Sequence, residues 1–455
     1  MKLKPLFEPR TMAIFGVSAT QERHPANVIF EKNLHRYPVE VFAVNPKGGK
    51  LHDTTLYQQI ADVPEKIDLA VIAARAGLVP DILTQCIGAG VKSAAIISGG
   101  FTEGGRADLQ DRLVDIAREA RFPFIGPNCL GLFVPDRVDT FFLPLERMIK
   151  PSTGAVALIS QSGGILVDQM IKFTQHGVGM SKAVSIGNKA LIRETDLLRY
   201  LLSDSKTKVI AFYVEGFNEG EGREFVKAAD CSPKPVILMK SGKTEAGKRA
   251  VSSHTASLAG DYASFRAAVA QHNILEAANE QELVAFCEVL SVYKEPINGR
   301  IGIITGSGGH GAMAVDACAL DKMSVPEFSE NTQSAMREML SDNIRAIASV
   351  ANPVDLTGSA GDDDFVACVK ALGASDELDC IIVLLLPYLP GVTLDIGVRL
   401  SQAIRPYKKP LIAYVPHVEK YNMMVDGFEL NGTPVSSSIE GAVLMAKALM
   451  RKKPC

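Results

Sequence analysis

The sequence predicts an α/β protein built from parallel sheets with crossover helices. Short apolar runs alternate with longer segments of helical period throughout the 455 residues. Two stretches rich in turn residues, 150–154 and 295–299, interrupt this alternation. We therefore expect three domains, over residues 1–150, 151–297 and 298–455.

Charge and cysteine content exclude several classes of function. With Lys+Arg 48 against Asp+Glu 51, the net charge of -3 gives no electrostatic reason to expect nucleic acid or an anionic membrane as a partner. The 8 cysteines show no C-x-x-C pair and no metal-like spacing with histidine, so we expect reduced thiols and no metal site. No apolar run has the length of a membrane span or a signal core, which predicts a cytoplasmic protein.

The first module contains five candidate strands: Met12–Val17, Val39–Val44, Leu69–Ala73, Ala94–Ser98 and Pro123–Ile125. The first strand leads into a turn of small residues, where a doubly wound sheet receives a nucleotide at a helix N-terminus. These residues are Gly16, Ser18, Ala19 and Thr20. The G-x-G-x-x-G spacing is missing, and the second strand leads to Asn45 and Lys47 rather than to an acidic ribose anchor. A phosphorylated ribose, as in CoA or NADP, is therefore expected.

The second and third modules look like distant repeats. Their candidate strands are Ala155–Ile159, Ala183–Ile186, Val209–Val214 and Val236–Met239, then Ile301–Thr305, Ile381–Leu386 and Leu411–Val415. In each module the first strand is followed by a Ser-Gly-Gly turn and a helical segment. The two turns are Ser162, Gly163 and Gly164, and Ser307, Gly308 and Gly309. Such a turn binds phosphate at a helix N-terminus, although an ordinary strand-to-helix turn uses the same residues.

One histidine, His254, lies in the segment 252–260, which is made of small and hydroxylated residues. This composition suits a mobile loop, and a neutral imidazole can carry a phosphoryl group. Glu215 ends the strand Val209–Val214, at the edge where α/β sites are built. It could accept the Nδ1–H of His254 and leave Nε2 as the nucleophile. The alternatives are a loop histidine without function and a capping or salt-bridged glutamate.

Residues 253–261, Ser-His-Thr-Ala-Ser-Leu-Ala-Gly-Asp, closely resemble the phosphohistidine loop of NDP-forming acyl-CoA synthetases. This family includes the ADP-forming acetyl-CoA synthetases and, more distantly, succinyl-CoA synthetase. The resemblance continues in the same order through Gly-Pro-Asn-Cys-Leu-Gly at 126–131, Ser-Gln-Ser-Gly-Gly at 160–164 and Asn-Pro-Val-Asp-Leu-Thr at 352–357. It implies a Rossmann-like CoA-binding domain followed by two flavodoxin-like domains.

The resemblance also implies roles for particular residues. Further CoA-lining positions are Ser98, Gly99, Glu103, Asn128 and Cys129, with the Pro-Asn-Cys turn near the thiol arm. For Cys129 the alternative is a small buried apolar residue. Glu215 matches the Tyr-x-Glu-Gly element that orients the phosphohistidine, and the third module's turn, ending in His310, could face that group from the other side. The resemblance does not assign CoA contacts to residues 24–27 and 74–76, because this chain departs from the family's usual residues there.

By this resemblance the chain is an α-type subunit that interconverts acyl-CoA, ADP and phosphate with a small carboxylic acid, CoA and ATP. The reaction passes through an acyl phosphate and a phosphohistidine. The sequence contains no G-x-x-x-x-G-K-[ST] loop and no counterpart of the family's ATP-grasp portion. We therefore expect ADP or ATP with Mg on an ATP-grasp β-type partner in an oligomer. The alternatives are a non-catalytic CoA- or acyl-CoA-binding regulatory protein and, disfavoured by the glycine pattern, a nucleotide-dependent oxidoreductase.

Overall fold

A computed structural model describes residues 1–254 and 261–451, without the side chains of 252–254. The chain forms two compact units, the first Met1–Ala278 and the second beginning at Asn279. No helix among the described residues is long and apolar enough to cross a membrane. The first unit contains two sheets and the second contains one. The predicted three-domain boundaries stay a prediction.

The first sheet has seven strands: β1 (Thr11–Phe15), β2 (Glu40–Val44), β3 (Lys50–Leu51), β4 (Thr54–Tyr57), β5 (Leu69–Ile72), β6 (Ser93–Ile96) and β7 (Phe124–Ile125). Their order is β3-β4-β2-β1-β5-β6-β7, and only β3 and β4 pair antiparallel. The helices are α1 (Lys4–Phe7), α2 (Pro25–Arg36), α3 (Val79–Gly88) and α4 (Ala107–Glu119). The central strands are buried almost throughout, as expected for a parallel sheet covered on both faces.

The second sheet also has seven strands: β8 (Gly131–Val134), β9 (Val138–Asp139), β10 (Thr153–Ser160), β11 (Met180–Ser185), β12 (Val209–Val214), β13 (Val236–Lys240) and β14 (Ile274–Ala277). Their order is β14-β13-β12-β10-β11-β8-β9. The helices are α5 (Gly163–Gln175), α6 (Glu194–Ser203), α7 (Glu221–Asp230), α8 (Glu245–His254) and α9 (Tyr262–Gln271). The hairpin β8–β9 pairs antiparallel with β11, although it precedes the turn-rich stretch at 150–154.

The second unit is a five-stranded parallel sheet in the order β16-β15-β17-β18-β19. Its strands are β15 (Ile301–Thr305), β16 (Val354–Asp355), β17 (Cys380–Leu384), β18 (Leu411–Tyr414) and β19 (Val435–Ser436). Its helices are α10 (Glu280–Val292), α11 (Gly308–Leu320), α12 (Glu330–Met339), α13 (Asp342–Arg345), α14 (Asp362–Ala374), α15 (Ile396–Ile404), α16 (Asn422–Glu429) and α17 (Ile439–Leu449).

The Ser-Gly-Gly turns of the two predicted repeats share one local geometry. In the second sheet Ser160 Oγ donates to Ser162 O at 2.6 Å and accepts from Ser162 N at 3.1 Å. In the third sheet Thr305 Oγ1 donates to Ser307 O at 3.3 Å and accepts from Ser307 N at 3.2 Å. A hydroxyl residue at the strand end therefore forms the same hydrogen-bonded turn before α5 and before α11.

Candidate active site

Three neighbouring strands of the second sheet bring the Ser162 turn, Glu215 and the start of the segment that leads to His254 to one edge. β12 lies between β10 and β13, in parallel register with both. The carboxyl ends of parallel strands meet at the same edge of a sheet, where α/β ligand sites form. Ser162 follows β10, Glu215 follows β12, and α8 follows β13. The fold thus places the beginning of α5, the carboxylate and the helix that reaches His254 on adjacent strands.

Ser162 is the N-cap residue of α5, and its Oγ accepts a hydrogen bond from Ile165 N at 3.4 Å. The serine therefore caps the helix. Gly163 lies against the preceding module, because a Cβ built on it would be 3.2 Å from Leu130 Cβ. The first turn of a helix carries partial positive charge on its N–H groups, so this terminus suits a phosphate anion.

Glu215 is buried, with 5% of its surface exposed. Its backbone N–H donates to Gln161 Oε1 at 2.6 Å, which fixes the residue beside the Ser162 turn. Among the described residues, its side-chain Oε2 has no hydrogen-bond partner. A buried carboxylate oxygen without a donor costs free energy, so this atom suits an N–H donor.

The predicted nucleophile, His254, is the last residue of α8. Its imidazole and residues 255–260, which carry most of the predicted phosphohistidine loop, lie outside the described residues. The backbone nevertheless places α8 directly after β13, whose Lys240 is paired in register with Val214 of β12. The histidine therefore ends the segment that follows the strand next to Glu215.

Sequence reasoning missed Lys240, the buried last residue of β13. Burial lowers the pKa of this ammonium to about 8; Glu215 opposes the shift, whereas Lys243 and Lys248 add to it. The signal in the sequence was a lysine that ends an apolar strand. The Lys240 side chain places a titratable cation beside Glu215.

The predicted CoA turn after β1 is held by its own polar groups. Gly16 has φ +100°, and a Cβ there would be 2.3 Å from Ala73 O, so the close approach of the backbone just after β5 requires glycine. Ser18 N donates to Asn27 Oδ1 at 2.8 Å, and Asn45 Nδ2 donates to Val17 O at 2.6 Å. These side chains shape the turn.

An open cavity of about 630 Å³ lies beside this turn. Its lining residues are Ala19, Thr20, Gln21, Glu22, Arg23, His24 and Pro25. Ala19 and Thr20 therefore line open space. Lys47 is exposed after β2, and its N–H donates to Asn45 Oδ1 at 2.9 Å. Residues 24–27 depart from the family's usual residues. Here His24 Nδ1 accepts a hydrogen bond from Ala26 N at 3.2 Å, and the histidine caps α2.

The loops after β6 and β7 bring together most of the other predicted CoA residues. Ser98 Oγ accepts from Ala74 N at 3.1 Å, and Asn128 N donates to Ser98 O at 2.8 Å. A Cβ on Gly99 would lie 3.3 Å from Asn128 Oδ1 and 3.4 Å from Glu103 Oε1. These contacts place Ser98, Gly99, Glu103 and Asn128 in one cluster.

Glu103 closes its own loop by accepting from Gly100 N at 2.6 Å. Burial favours its neutral form, but hydrogen bonds from Asn188 and from Gly100 N hold the pKa of this carboxyl below its usual value. Asn188 comes from the second sheet's β11 loop and donates to Glu103 Oε2 at 2.5 Å. A carboxylate at the rim of the predicted CoA cluster is therefore ionised and already hydrogen-bonded.

Cys129 is buried, and its thiol donates to Ile96 O at 3.3 Å. Burial raises the pKa of this thiol to about 12, so it stays protonated near neutral pH and is a poor nucleophile. This environment favours the reading of Cys129 as a small buried residue that supports the Pro-Asn-Cys turn.

The second Ser-Gly-Gly turn belongs to the second unit. Ser307 Oγ lies 3.1 Å from His310 Nδ1, so the histidine contacts the N-cap residue of its own helix, α11. A Cβ on Gly308 would lie 3.0 Å from Asp355 Oδ2. Asp355, whose role the sequence did not explain, thus places a carboxylate beside this turn.

Comparison with known proteins gives two domain matches. Residues 10–135 match a family model described as a CoA binding domain, and residues 153–290 match one described as a succinyl-CoA ligase like flavodoxin domain. These matches confirm the predicted fold class of a CoA-binding domain followed by flavodoxin-like parallel sheets.

Whole-chain comparisons give longer matches. The chain is 36% identical to acetate–CoA ligase [ADP-forming] I of Archaeoglobus fulgidus, over 85% of this chain and 55% of that protein. It is 32% identical to the alpha subunit of acetate–CoA ligase [ADP-forming] I of Pyrococcus furiosus, over 99% of this chain and 98% of that subunit. The structure of Ca. Korarchaeum cryptofilum dinucleotide forming acetyl-coenzyme A synthetase 1, in complex with phosphate and ADP, superposes with a TM-score of 0.90. That pair is 30% identical and covers 98% of this chain and 96% of the other.

Proposed function

The chain belongs to the ADP-forming acetate–CoA ligase family, and from this premise we propose that it is an α-type subunit of an NDP-forming acyl-CoA synthetase. The family resemblance read from the sequence is confirmed. The proposed reaction interconverts acyl-CoA, ADP and phosphate with a carboxylic acid, CoA and ATP. The acyl group is a small one, as the acetate named for the relatives suggests.

The observation that carries the proposal is the buried Glu215 carboxylate beside a helix N-terminus. Its Oε2 lacks a partner among the described residues, and its backbone is fixed by Gln161 next to Ser162. A phosphoryl-transfer site needs an anion-binding element and a group that orients the nucleophile. A helix N-terminus and a buried carboxylate at the sheet edge where the segment leading to His254 begins support the proposal.

In the proposed first step, a phosphate oxygen attacks the thioester carbonyl of acyl-CoA. The carbon–sulfur bond breaks, CoA leaves as a thiolate that takes up a proton, and an acyl phosphate forms. The N-terminus of α5, with Ser162, Gly163 and Gly164, binds the phosphate oxygens. CoA occupies the first module, with Gly16 to Thr20, Asn45 and Lys47 near its phosphates. The thiol arm reaches the turn at Asn128.

In the proposed second step, His254 Nε2 attacks phosphorus, the bond to the acyl oxygen breaks and the carboxylate leaves. Glu215 accepts the Nδ1–H, which fixes the tautomer and stabilises the phosphorylated ring through a charge-assisted hydrogen bond. The turn at Ser307, Gly308 and Gly309 is proposed as a second phosphate-binding element.

The phosphoryl group is then passed to ADP, which we propose is held with Mg by an ATP-grasp β-type partner subunit in a cytoplasmic oligomer. The lengths of the relatives support this division. The chain spans 98% of the Pyrococcus furiosus alpha subunit but only 55% of the Archaeoglobus fulgidus ligase and 50% of the Methanocaldococcus jannaschii ligase.

Labelling with radioactive phosphate tests the proposal. The purified chain is incubated with acetyl-CoA and ³²P-phosphate, and we expect a protein-bound label that is stable in base and labile in acid. Incubation without acetyl-CoA is the control. CoA binding without any label, with and without a competent ATP-grasp partner and ATP, would instead support a non-catalytic CoA-binding protein.

A further inference from the structure

The backbone of Glu215 and Gly216 is held by two side chains, Gln161 and Lys189, from the loops after β10 and β11. Gln161 Oε1 accepts from Glu215 N at 2.6 Å and from Gly216 N at 3.2 Å. Gln161 Nε2 donates to Gly216 O at 2.7 Å, and Lys189 Nζ donates to the same oxygen at 2.7 Å. Four hydrogen bonds therefore fix the backbone that carries the Glu215 carboxylate.

Lys189 is a buried cation, with 6% of its side chain exposed. Its Nζ lies 3.0 Å from Glu194 Oε1 and 3.2 Å from Glu194 Oε2. Glu221 Oε2 lies 3.6 Å from the same nitrogen. Glu194 also accepts a hydrogen bond from Gln161 Nε2. Lys189 and Gln161 thus share Glu194 and Gly216 as partners, so the two side chains form one connected network.

The loop that carries Lys189 packs on the turn proposed to receive the thiol arm of CoA. Asn188 N donates to Pro127 O at 2.9 Å, and Ala190 N donates to Gly126 O at 3.1 Å. A Cβ on Gly187 would lie 2.3 Å from Asn128 O, so the backbones meet as closely as glycine permits. Lys189 itself has φ +46°, a left-handed conformation that non-glycine residues seldom adopt. The loop is therefore held in one arrangement by the Pro-Asn-Cys turn.

We propose that Lys189 is a positioning residue that connects the Pro-Asn-Cys turn of the CoA-binding module to the Glu215 carboxylate. The loop takes its position from Gly126 and Pro127, and the Lys189 ammonium transmits that position to Gly216 O. A carboxylate that orients an imidazole must be placed within a fraction of an ångström, because small misplacements slow group transfer strongly. The inference rests on the proposed function, since it assigns a role in the phosphorylation of His254.

The test is the single-turnover rate of labelling from acetyl-CoA and ³²P-phosphate, normalised to the folded fraction. Lys189→Met keeps the aliphatic chain and removes the donor to Gly216 O. We expect labelling to slow by about 10- to 100-fold, as for residues that orient a reacting group through another side chain. We expect the acetyl-CoA concentration that gives half the maximal labelling rate to stay within about 3-fold of the wild-type value. Such a change is smaller than tenfold in a dissociation constant, so acetyl-CoA binding is largely retained.

Two further variants separate positioning from loss of fold. Lys182→Met is the matched control, because Lys182 is also buried in the second sheet and pairs with Asp204 Oδ2 at 2.5 Å. We expect it to lower the unfolding temperature and to leave the labelling rate of the folded protein unchanged. The double variant Lys189→Met/Glu194→Gln removes the cation together with its nearest carboxylate, so Glu194 is not left as a buried charge without its partner. We expect it to fold and to label as slowly as Lys189→Met.

Labelling of the double variant at the wild-type rate would overturn the role of Lys189. Equal slowing of Lys182→Met and Lys189→Met would also overturn it, because any buried lysine would then have the same effect. If the wild-type protein is labelled neither from acetyl-CoA and ³²P-phosphate nor from ³²P-ATP with an ATP-grasp partner, that result counts against the proposed function instead. The two outcomes are therefore distinguishable.

Discussion

The Lys240 ammonium donates a hydrogen bond of 2.7 Å to the backbone carbonyl oxygen of Glu215. The strands β12 and β13 that carry these residues are neighbours, and Val214 is paired with Lys240. A buried cation therefore contacts the backbone of the residue proposed to orient His254, and the Glu215 carboxylate opposes the lowering of its pKa. We expect a cation at this place to stabilise the negative charge of the phosphoryl group in the proposed transfer.

This pair predicts a pH dependence of labelling. Burial lowers the pKa of Lys240 to about 8, so the ammonium loses its charge as pH rises through that value. We expect the wild-type labelling rate to fall above pH 8. Lys240→Met should label slowly at every pH and should lack this fall. Labelling rates of both proteins, measured from pH 6 to pH 10, check this prediction. If the labelling rate of Lys240→Met falls in the same way as that of the wild type, another group is responsible for the titration.

Glu215→Gln should keep the fold and reduce labelling. A neutral amide stabilises the phosphorylated imidazole less well than a carboxylate, and the loss of one charge-assisted hydrogen bond corresponds to a decrease of about 10- to 100-fold. Glu429→Gln, at a half-buried glutamate in the second unit, is the control and should label at the wild-type rate. Normal labelling of Glu215→Gln would remove Glu215 from the site.

CoA should bind more tightly than dephospho-CoA, and NAD should bind weakly. Lys47 is exposed after β2 at the place where NAD-binding sheets carry an acidic ribose anchor. Titration calorimetry of the full chain with the three ligands measures this. Lys47→Ala should reduce the ratio of CoA to dephospho-CoA affinity about 3-fold, in keeping with one exposed charge contact. Tight NAD binding with no response to CoA would contradict the assignment.

Glu429 predicts a pH dependence of stability in the second unit. Burial, with a contribution from Asp426, raises the pKa of this carboxyl from 4.5 to about 7, and its Oε1 has no partner among the described residues. Between these two values the folded state binds more protons than the unfolded state. The free energy of unfolding therefore falls as pH rises from 4.5 to about 7. Thermal unfolding at pH 5, 6 and 7.5 checks this prediction, and we expect the unfolding temperature to depend less on pH in Glu429→Gln than in the wild type. The same pH dependence in both proteins would count against the titration of Glu429.

The central strands could be predicted because apolar runs and turn residues mark parallel strands locally. Val209–Val214 and Ile301–Thr305 were predicted with the bounds that the structure has. The hairpin β8–β9 was not predicted, because its antiparallel pairing with β11 is set by tertiary contacts such as the hydrogen bond from Leu130 N to Ser185 Oγ at 3.1 Å. A two-residue strand such as β3 is too short to show a pattern.

The turn at Ser162 and Glu215 could be located from the sequence because each directly follows a recognisable strand. Lys189 could not be, since its role arises only when a left-handed loop brings it to Gly216 O. The sequence also did not predict that Ser18 and Asn45 would hold the turn itself, with Asn27 and Val17 as partners. Those contacts depend on how α2 and β2 pack around the first strand.

The location of the phosphoryl label tests the account most directly. Wild-type protein and His254→Ala are labelled from acetyl-CoA and ³²P-phosphate, and also from ³²P-ATP with an ATP-grasp partner. We expect an acid-labile, base-stable label in the wild type and none in the variant, because the imidazole is the proposed nucleophile. The same label surviving in His254→Ala would contradict the account and would make His310 the next residue to replace.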